Sequence, residues 1–221
     1  MEKTIIPSYK AGLTELRSQL KEMLQQEALN VFDADASYLQ ESHTSILKLK
    51  AGDKAPGFSL PNATGKTVSL KDELQTGAVV LIFYRGNWCP YCNLQLSQYQ
   101  QILDEIKEVG ASLIAISPQT PDASLDLKEK NELKFDVLSD KSNSVARQFT
   151  TVFKNADNPV NAMAELGYDF DSFYGDDSRE IPVPAVFIIN REGIITFAKT
   201  EGGDYRNRVE PGEVIESLKN M

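Results

Sequence analysis

Cys89 and Cys92 are the only two cysteines of the chain, and only Pro90 and Tyr91 separate them. A cross-link closing so short a loop removes little entropy from the unfolded chain, so stability is a poor reason for the pair. Reactivity is a better one. A thiolate attacks peroxides and disulfides, and a second thiol three residues on is placed to close an internal disulfide. Zinc is the rival use. A closed structural site asks for four Cys or His ligands, and the chain adds only His43 to the two thiols, so such a site would have to be shared between two subunits.

The sequence around the pair predicts how it is positioned. Residues 78–84, Ala-Val-Val-Leu-Ile-Phe-Tyr, form a continuous apolar run that fits a central strand buried on both faces. After Cys89 the period changes. Cys92, Leu96, Tyr99, Leu103 and Ile106 fall on one helical stripe that Gly110 ends. Cys89 then stands at the N-cap, with Pro90 at the first helical position where its missing N–H is not needed. An N-cap side chain accepts hydrogen bonds from the helix's first amides, and the helix dipole adds positive potential. On this reading Cys89 is the depressed, attacking thiolate and Cys92, which opens the apolar stripe, is the more buried resolving thiol.

The remaining elements build a layered α/β domain around that junction. Leu13, Leu16, Leu20 and Leu24 mark an amphipathic helix over about residues 11–29, and the polar stretch through Asp33, Asp35, Glu41 and Ser42 reads as a linker. A hairpin is expected at 56–70 and a second buried strand at 113–116. A helix follows within 122–132, a strand at 136–139 and a short helix near 142–149. Residues 153–179, rich in Asn, Asp and Gly, read as a long irregular loop. Residues 186–189 and 194–197 flank an Asn-Arg-Glu-Gly turn as a hairpin, and a last helix covers 212–218 behind Pro211. Parallel strands joined by helices, then an antiparallel pair, make a three-layer sandwich with a mixed sheet. The expected organisation is an N-terminal helix and linker at 1–48 and one domain at 49–221, with an insertion at about 153–180.

Composition narrows the partners. The 221 residues carry 32 acidic against 23 basic side chains, a formal charge of −9. That balance argues against nucleic acid, whose phosphates need a cationic face, and against an anionic membrane surface. The longest apolar run, 78–84, is far short of a membrane span. The first residues show no apolar signal core, and the cytoplasm is the expected compartment.

The segment Phe83-Tyr84-Arg85-Gly86-Asn87-Trp88-Cys89-Pro90-Tyr91-Cys92 resembles the active-site segment of thioredoxin-fold proteins. It is most similar to the peroxiredoxin-like branch of the alkyl hydroperoxide reductase/thiol-specific antioxidant (AhpC/TSA) family. Gly52-Asp53-Lys54-Ala55-Pro56-Gly57-Phe58, Ala115-Ile116-Ser117-Pro118-Gln119-Thr120-Pro121, Val137-Leu138-Ser139-Asp140, Val183-Pro184-Ala185-Val186-Phe187-Ile188-Ile189 and Asp204-Tyr205-Arg206 extend the likeness in order. The resemblance implies a thioredoxin-like α/β/α sandwich with a mixed central sheet, an N-terminal hairpin and an added N-terminal helix. In it Trp88, Cys89 and Cys92 match the thioredoxin-type Trp-Cys-x-x-Cys, and Pro90-Tyr91 is the pair that glutaredoxins carry between their cysteines. Tyr91 is expected at an exposed lip of the site, with Trp88 packed over it. Pro184 matches that fold's cis-proline, which would turn the Val183 backbone toward the sulfurs for an extended peptide to pair with. Read without the resemblance, Pro184 is a trans proline entering a strand.

The sequence also departs from the family. Peroxiredoxins use Pro-x-x-x-Thr/Ser-x-x-Cys with a distant arginine. Here Arg85 stands near that proline's place, Gly86 precedes Cys89 by three, and Pro184 falls near the arginine's place. Arg85 is either a substitute cation that lowers the Cys89 pKa or a solvated strand-end arginine. The buried carboxylate that thioredoxin keeps beneath its cysteines is also missing, since the matching strand position is near Phe83.

Three functions follow as expectations. The first is a peroxidase: Cys89 is oxidised by hydrogen peroxide or an alkyl hydroperoxide, Cys92 closes the disulfide, and a thioredoxin- or glutaredoxin-type donor reduces it, with no cofactor and no metal. The second is a protein disulfide oxidoreductase. The third is a binding module in which the N-terminal helix is a homodimerisation arm and the cysteines are a redox-sensing or zinc-sharing contact.

Overall fold

The computed structural model describes residues 5–43 and 46–221. Of the 1–48 segment, residues 1–4 and 44–45 therefore lie outside the described residues. Two helices come first, α1 (Tyr9–Met23) and α2 (Gln26–Ser42). A hairpin follows, β1 (Ser59–Pro61) and β2 (Thr67–Ser69), then α3 (Leu70–Thr76), β3 (Ala78–Phe83), α4 (Pro90–Gln101), α5 (Leu103–Glu108), β4 (Ala111–Ser117), α6 (Pro121–Lys130) and β5 (Asp136–Ser139). The second half adds α7 (Ala146–Phe149), β6 (Val152–Lys154), α8 (Asp157–Glu165), β7 (Glu180–Pro182), β8 (Ala185–Ile189), β9 (Ile195–Lys199) and α9 (Pro211–Lys219).

The central sheet runs β5-β4-β3-β8-β9. β3 is parallel to β4 and antiparallel to β8, so the sheet is mixed, as expected. Every β3 residue is buried. Because successive side chains of a strand point to opposite faces, Val80, Ile82 and Tyr84 join one core with α4, α5 and α9. Val79, Leu81 and Phe83 join the other with α3, α7 and the hairpin. Each such side chain contributes about 1.5–3 kcal/mol on full burial. The continuous apolar run is therefore the middle layer, and its carboxyl end delivers Arg85 to Cys89 to the start of α4. The helix expected to run on to Gly110 breaks at Ile102 into α4 and α5.

Two stretches differ from expectation. The polar stretch taken for a linker is helix α2. Its apolar stripe is thin, Phe32, Ala36 and Leu39 at four- and three-residue spacing, with acidic residues between. Ala36 and Leu39 are buried against Tyr205. Likewise the stretch 153–179 is not irregular. It holds α8, whose Pro159 sits in the first turn where proline is tolerated, and a 3-10 turn at Phe170–Phe173. Val160, Met163, Phe170 and Ile181 bury together as a small separate core, which the turn-forming residues between them conceal in the sequence.

The N-terminal helices are fastened over the cysteine end of the sheet. Ser8 caps α1 by accepting from the Ala11 amide, and Glu210 accepts from the amides of Tyr9 (2.7 Å) and Lys10 (2.9 Å), where a helix N-terminus favours an anion. Gln98 of α4 donates to the Ser8 carbonyl (3.1 Å). Farther on, Gly203 allows the C-terminal loop to lie backbone to backbone on α2, since a Cβ there would be 2.1 Å from the Leu39 carbonyl oxygen.

Candidate active site

Cys89 is the N-cap of α4, in extended conformation, with Pro90 behind it and Cys92 one turn on. The Cys92 and Asn93 amides donate to the Cys89 carbonyl, at 3.0 and 3.1 Å. Both cysteines are unbridged and buried, 1% and 0% exposed.

The segment leading to them is held rigidly. Asn87 and Gln119 pair head to tail: the Asn87 amide donates to Gln119 Oε1 and Gln119 Nε2 donates to Asn87 Oδ1, both at 2.8 Å. Asn93 Nδ2 donates to the Asn87 carbonyl, tying the loop to α4. Trp88 Nε1 donates to the Tyr174 hydroxyl (2.7 Å), which donates to the Arg85 carbonyl (3.1 Å). Gly86 lies so close under the indole that a Cβ would come within 2.4 Å of Trp88 Nε1.

Two guanidinium groups flank the thiols. Arg85 is buried (2% exposed), not solvated. Its guanidinium carbon lies 4.8 Å from the Trp88 ring centroid and also faces Tyr205. Its Nη2 donates to Asn155 Oδ1 (3.3 Å). Arg208, 4% exposed, places Nη2 at 3.3 Å from Cys92 Sγ and 3.9 Å from Cys89 Sγ. Its Nη1 donates to the carbonyls of Tyr205 and Asn207.

This geometry reverses the expected charge on the pair. The Cys89 side chain makes no cap hydrogen bond. Burial pushes the Cys89 thiol well up, and the hydrogen bond to Cys92 and the charge there add to it, against the fields of Arg85 and Arg208. Burial opposes charge on Cys92 as well. There, however, the Cys89 S–H, the Arg208 guanidinium and the Arg85 backbone N–H outweigh it and hold the thiol well below its usual value. Both directions run opposite to the N-cap expectation, which put the depressed thiol at Cys89.

The expected cis-proline is also corrected. No cis peptide bond occurs among the described residues, so Pro184 is trans. The Val183 amide donates to the Thr151 carbonyl (2.8 Å), and the Val183 carbonyl accepts from Thr150 Oγ1 (3.0 Å). Its backbone is paired within the fold and offers nothing to a peptide. Tyr91 is half-buried and tilts against Tyr205. Its hydroxyl is pushed up, first by burial and then by the Cys89 sulfur. His43 follows α2 and leans on Phe153. Among the described residues no three His, Cys, Asp or Glu side chains converge to hold a metal, and no helix is long and apolar enough to cross a membrane.

Sequence reasoning missed Arg208, Asn155, Tyr174 and Asp35. Asp35 of α2 is buried near Arg85, and its Oδ2 has no partner among the described residues. Burial raises its carboxyl and the Arg85 field partly offsets that. Arg208 stands two residues past the Asp204-Tyr205-Arg206 match, which was a local signal for it.

Comparison with known proteins agrees with this architecture. The sequence model of the AhpC/TSA family matches residues 51–198. Peroxiredoxin Bcp of Escherichia coli (strain K12) is 39% identical over 101 residues, 46% of this chain and 64% of that protein. The chain thus spans just under two thirds of that relative's length. Among solved structures, peroxidoxin BcpB from Mycobacterium tuberculosis superposes with a TM-score of 0.61 at 22% identity, over 78% of this chain and 98% of that one. A peroxiredoxin-like protein from Aquifex aeolicus gives 0.59 at 18%, over 79% and 90%. At these identities the two structures speak for the fold alone.

Proposed function

The chain belongs to the AhpC/TSA family, and on that footing we propose that it is a thiol-dependent peroxidase whose Cys89/Cys92 pair cycles between two thiols and one disulfide. The observation that carries this reading is the cysteine pair itself, buried and flanked by two guanidiniums at the start of α4. A thiolate beside a fixed cation attacks the O–O bond. Sulfur is oxidised by two electrons to a sulfenic acid, and an alcohol or water leaves. The second thiol condenses with the sulfenic acid: the S–S bond forms, the S–O and S–H bonds break, and water leaves. A dithiol donor of thioredoxin or glutaredoxin type returns two electrons and two protons.

Trp88, Pro90, Tyr91, Arg85, Val183 and Pro184 shape this site in the proposal, with changed duties for three of them. Arg85 is a buried cation stacked on aromatic rings. Val183 and Pro184 back the site without presenting free backbone groups. That pairing weighs against the protein disulfide oxidoreductase, which needs an open edge for an extended substrate. α1 lies along α4 within the chain and its Leu13, Leu16 and Leu20 stay half-buried, so a homodimerisation arm would have to use the side of α1 turned away from α4. A reducing compartment such as the cytoplasm suits an unbridged thiol pair that depends on a dithiol donor.

The test is to titrate thiols in the reduced protein after adding hydrogen peroxide or an alkyl hydroperoxide. Both thiols should disappear together, and a dithiol donor should sustain turnover. Thiols that survive peroxide yet are consumed by protein disulfides would overturn the peroxidase reading in favour of the disulfide oxidoreductase.

A further inference from the structure

Arg208 differs from the other arginine of the site in what its charge has to act on. Arg85 spreads against aromatic faces and an amide oxygen. Arg208 is pinned by two backbone carbonyls, and none of its hydrogen bonds among the described residues goes to a carboxylate. Its Nε has no partner there. A buried guanidinium without a counter-ion is costly, and the groups in reach that can neutralise it are the sulfurs. The two are not equivalent: Nη2 is 3.3 Å from Cys92 and 3.9 Å from Cys89. The other titratable hydroxyls around the pair, those of Tyr9, Tyr84, Tyr91, Tyr174 and Tyr205, are all pushed up by burial and stay protonated. Arg208 also lies beyond residues 51–198, the part of the chain that matches the family.

Resting on the thiol-peroxidase reading, we infer that Cys92 is the attacking sulfur, that Arg208 holds it as the thiolate, and that Cys89 is first the proton donor and then the resolving thiol. Written out, the Cys92 thiolate attacks the terminal peroxide oxygen. The S–O bond forms as the O–O bond breaks, and the leaving alkoxide takes the Cys89 proton to depart as ROH. Cys89 is now a thiolate beside a Cys92 sulfenic acid. It attacks that sulfur, the S–S bond forms, and hydroxide leaves. Over both steps one thiolate, one thiol and one hydroperoxide give one disulfide, one alcohol and one hydroxide, with two electrons passed to the peroxide.

The experiment is single-turnover oxidation by hydrogen peroxide of reduced Cys89→Ser and Cys92→Ser, with dimedone trapping and mass spectrometry. Serine at 89 keeps an O–H able to donate to Cys92. Cys89→Ser should react once and carry the adduct on Cys92, while Cys92→Ser should not react. The reverse pattern would overturn the inference and leave the peroxidase reading standing, whereas a wild type inert to peroxide would sink that reading itself. Arg208→Met and Arg208→Lys are followed by thiolate absorbance near 240 nm against pH, with circular dichroism as the check on folding. Arg208→Met should raise the titration midpoint by about one to three pH units, and Arg208→Lys should recover part of it. An unchanged midpoint in folded Arg208→Met would remove Arg208 from the scheme. Should Arg208→Met not fold, the uncharged Arg208→Gln takes its place under the same criterion, and the cysteine pair decides the rest.

Discussion

The Arg85 guanidinium carbon lies 3.7 Å from the centroid of the Tyr205 ring, so a residue of the strand-to-helix junction is clasped by the C-terminal loop. The Tyr205 hydroxyl in turn donates to the Phe32 carbonyl of α2 (2.8 Å). One aromatic side chain thus joins the loop before Cys89 to the helical cover. A desolvated cation–π contact of this kind is worth about 2 kcal/mol.

Tyr205→Phe keeps the ring and loses the bond to α2. It should destabilise the protein by about 0.5–1.5 kcal/mol in urea unfolding and speed alkylation of the native thiols. Unchanged midpoint and unchanged alkylation would show that Tyr205 does not fasten α2.

Trp88 is the only tryptophan, and its Nε1 bond to Tyr174 couples it to the Arg85 carbonyl. Closing a disulfide at the foot of α4 should therefore alter its emission. Fluorescence followed through peroxide addition should change in step with the loss of both thiols. An emission trace that stays flat while the thiols vanish would contradict this coupling.

Gly203→Ala would set a methyl 2.1 Å from the Leu39 carbonyl oxygen, a backbone clash that only movement of α2 or the loop relieves. The expected cost is about 1–3 kcal/mol, with faster amide exchange across α2. An equally stable, equally protected variant would argue that the two backbones do not press together.

Asp35 gives a pH dependence with a definite sign. Its carboxyl is raised in the fold above its ordinary value of 3.8, chiefly by burial. Its contribution is therefore complete below the ordinary carboxylate pKa and is lost as pH rises through the folded value. Asp35→Asn should match wild type in acid and be the more stable of the two at neutral pH. Asp171, which Arg179 holds below the usual range, runs the other way and loses its contribution on acidification. Thermal melts of Asp35→Asn across pH 3–7 check the point; a variant less stable than wild type at neutral pH would refute it.

The sheet and the placement of the thiols were legible because their signals are local. A seven-residue apolar run, a proline at the first helical position and a change of period mark strand, junction and α4 within about twenty-five residues. The contact of Arg208 with Cys92 was not legible, because the arginine arrives 116 residues later, carried in by the loop that follows β9. Cys89 was also expected to accept bonds from the first amides of α4 and to be the less buried sulfur, whereas it accepts none and is as buried as Cys92. Helix α2 was hidden because one of its three buried contacts is an alanine, too small to announce a stripe among acids. Helix α8 was hidden because asparagine, aspartate and proline serve a first helical turn as well as they serve a loop. The conformation of Pro184 was open from local sequence, and the hydrogen bonds of Val183 to Thr150 and Thr151 settle which way that backbone faces.

Glu210, which takes two amide protons from the opening turn of α1, stands two positions past Arg208. The amino-terminal helix and the strap that carries the guanidinium therefore share a single anchor. Neither can be displaced without tugging the other, and so the surroundings of two sulfurs in the middle of the sequence are tethered mechanically to how α1 and the loop after β9 are tied.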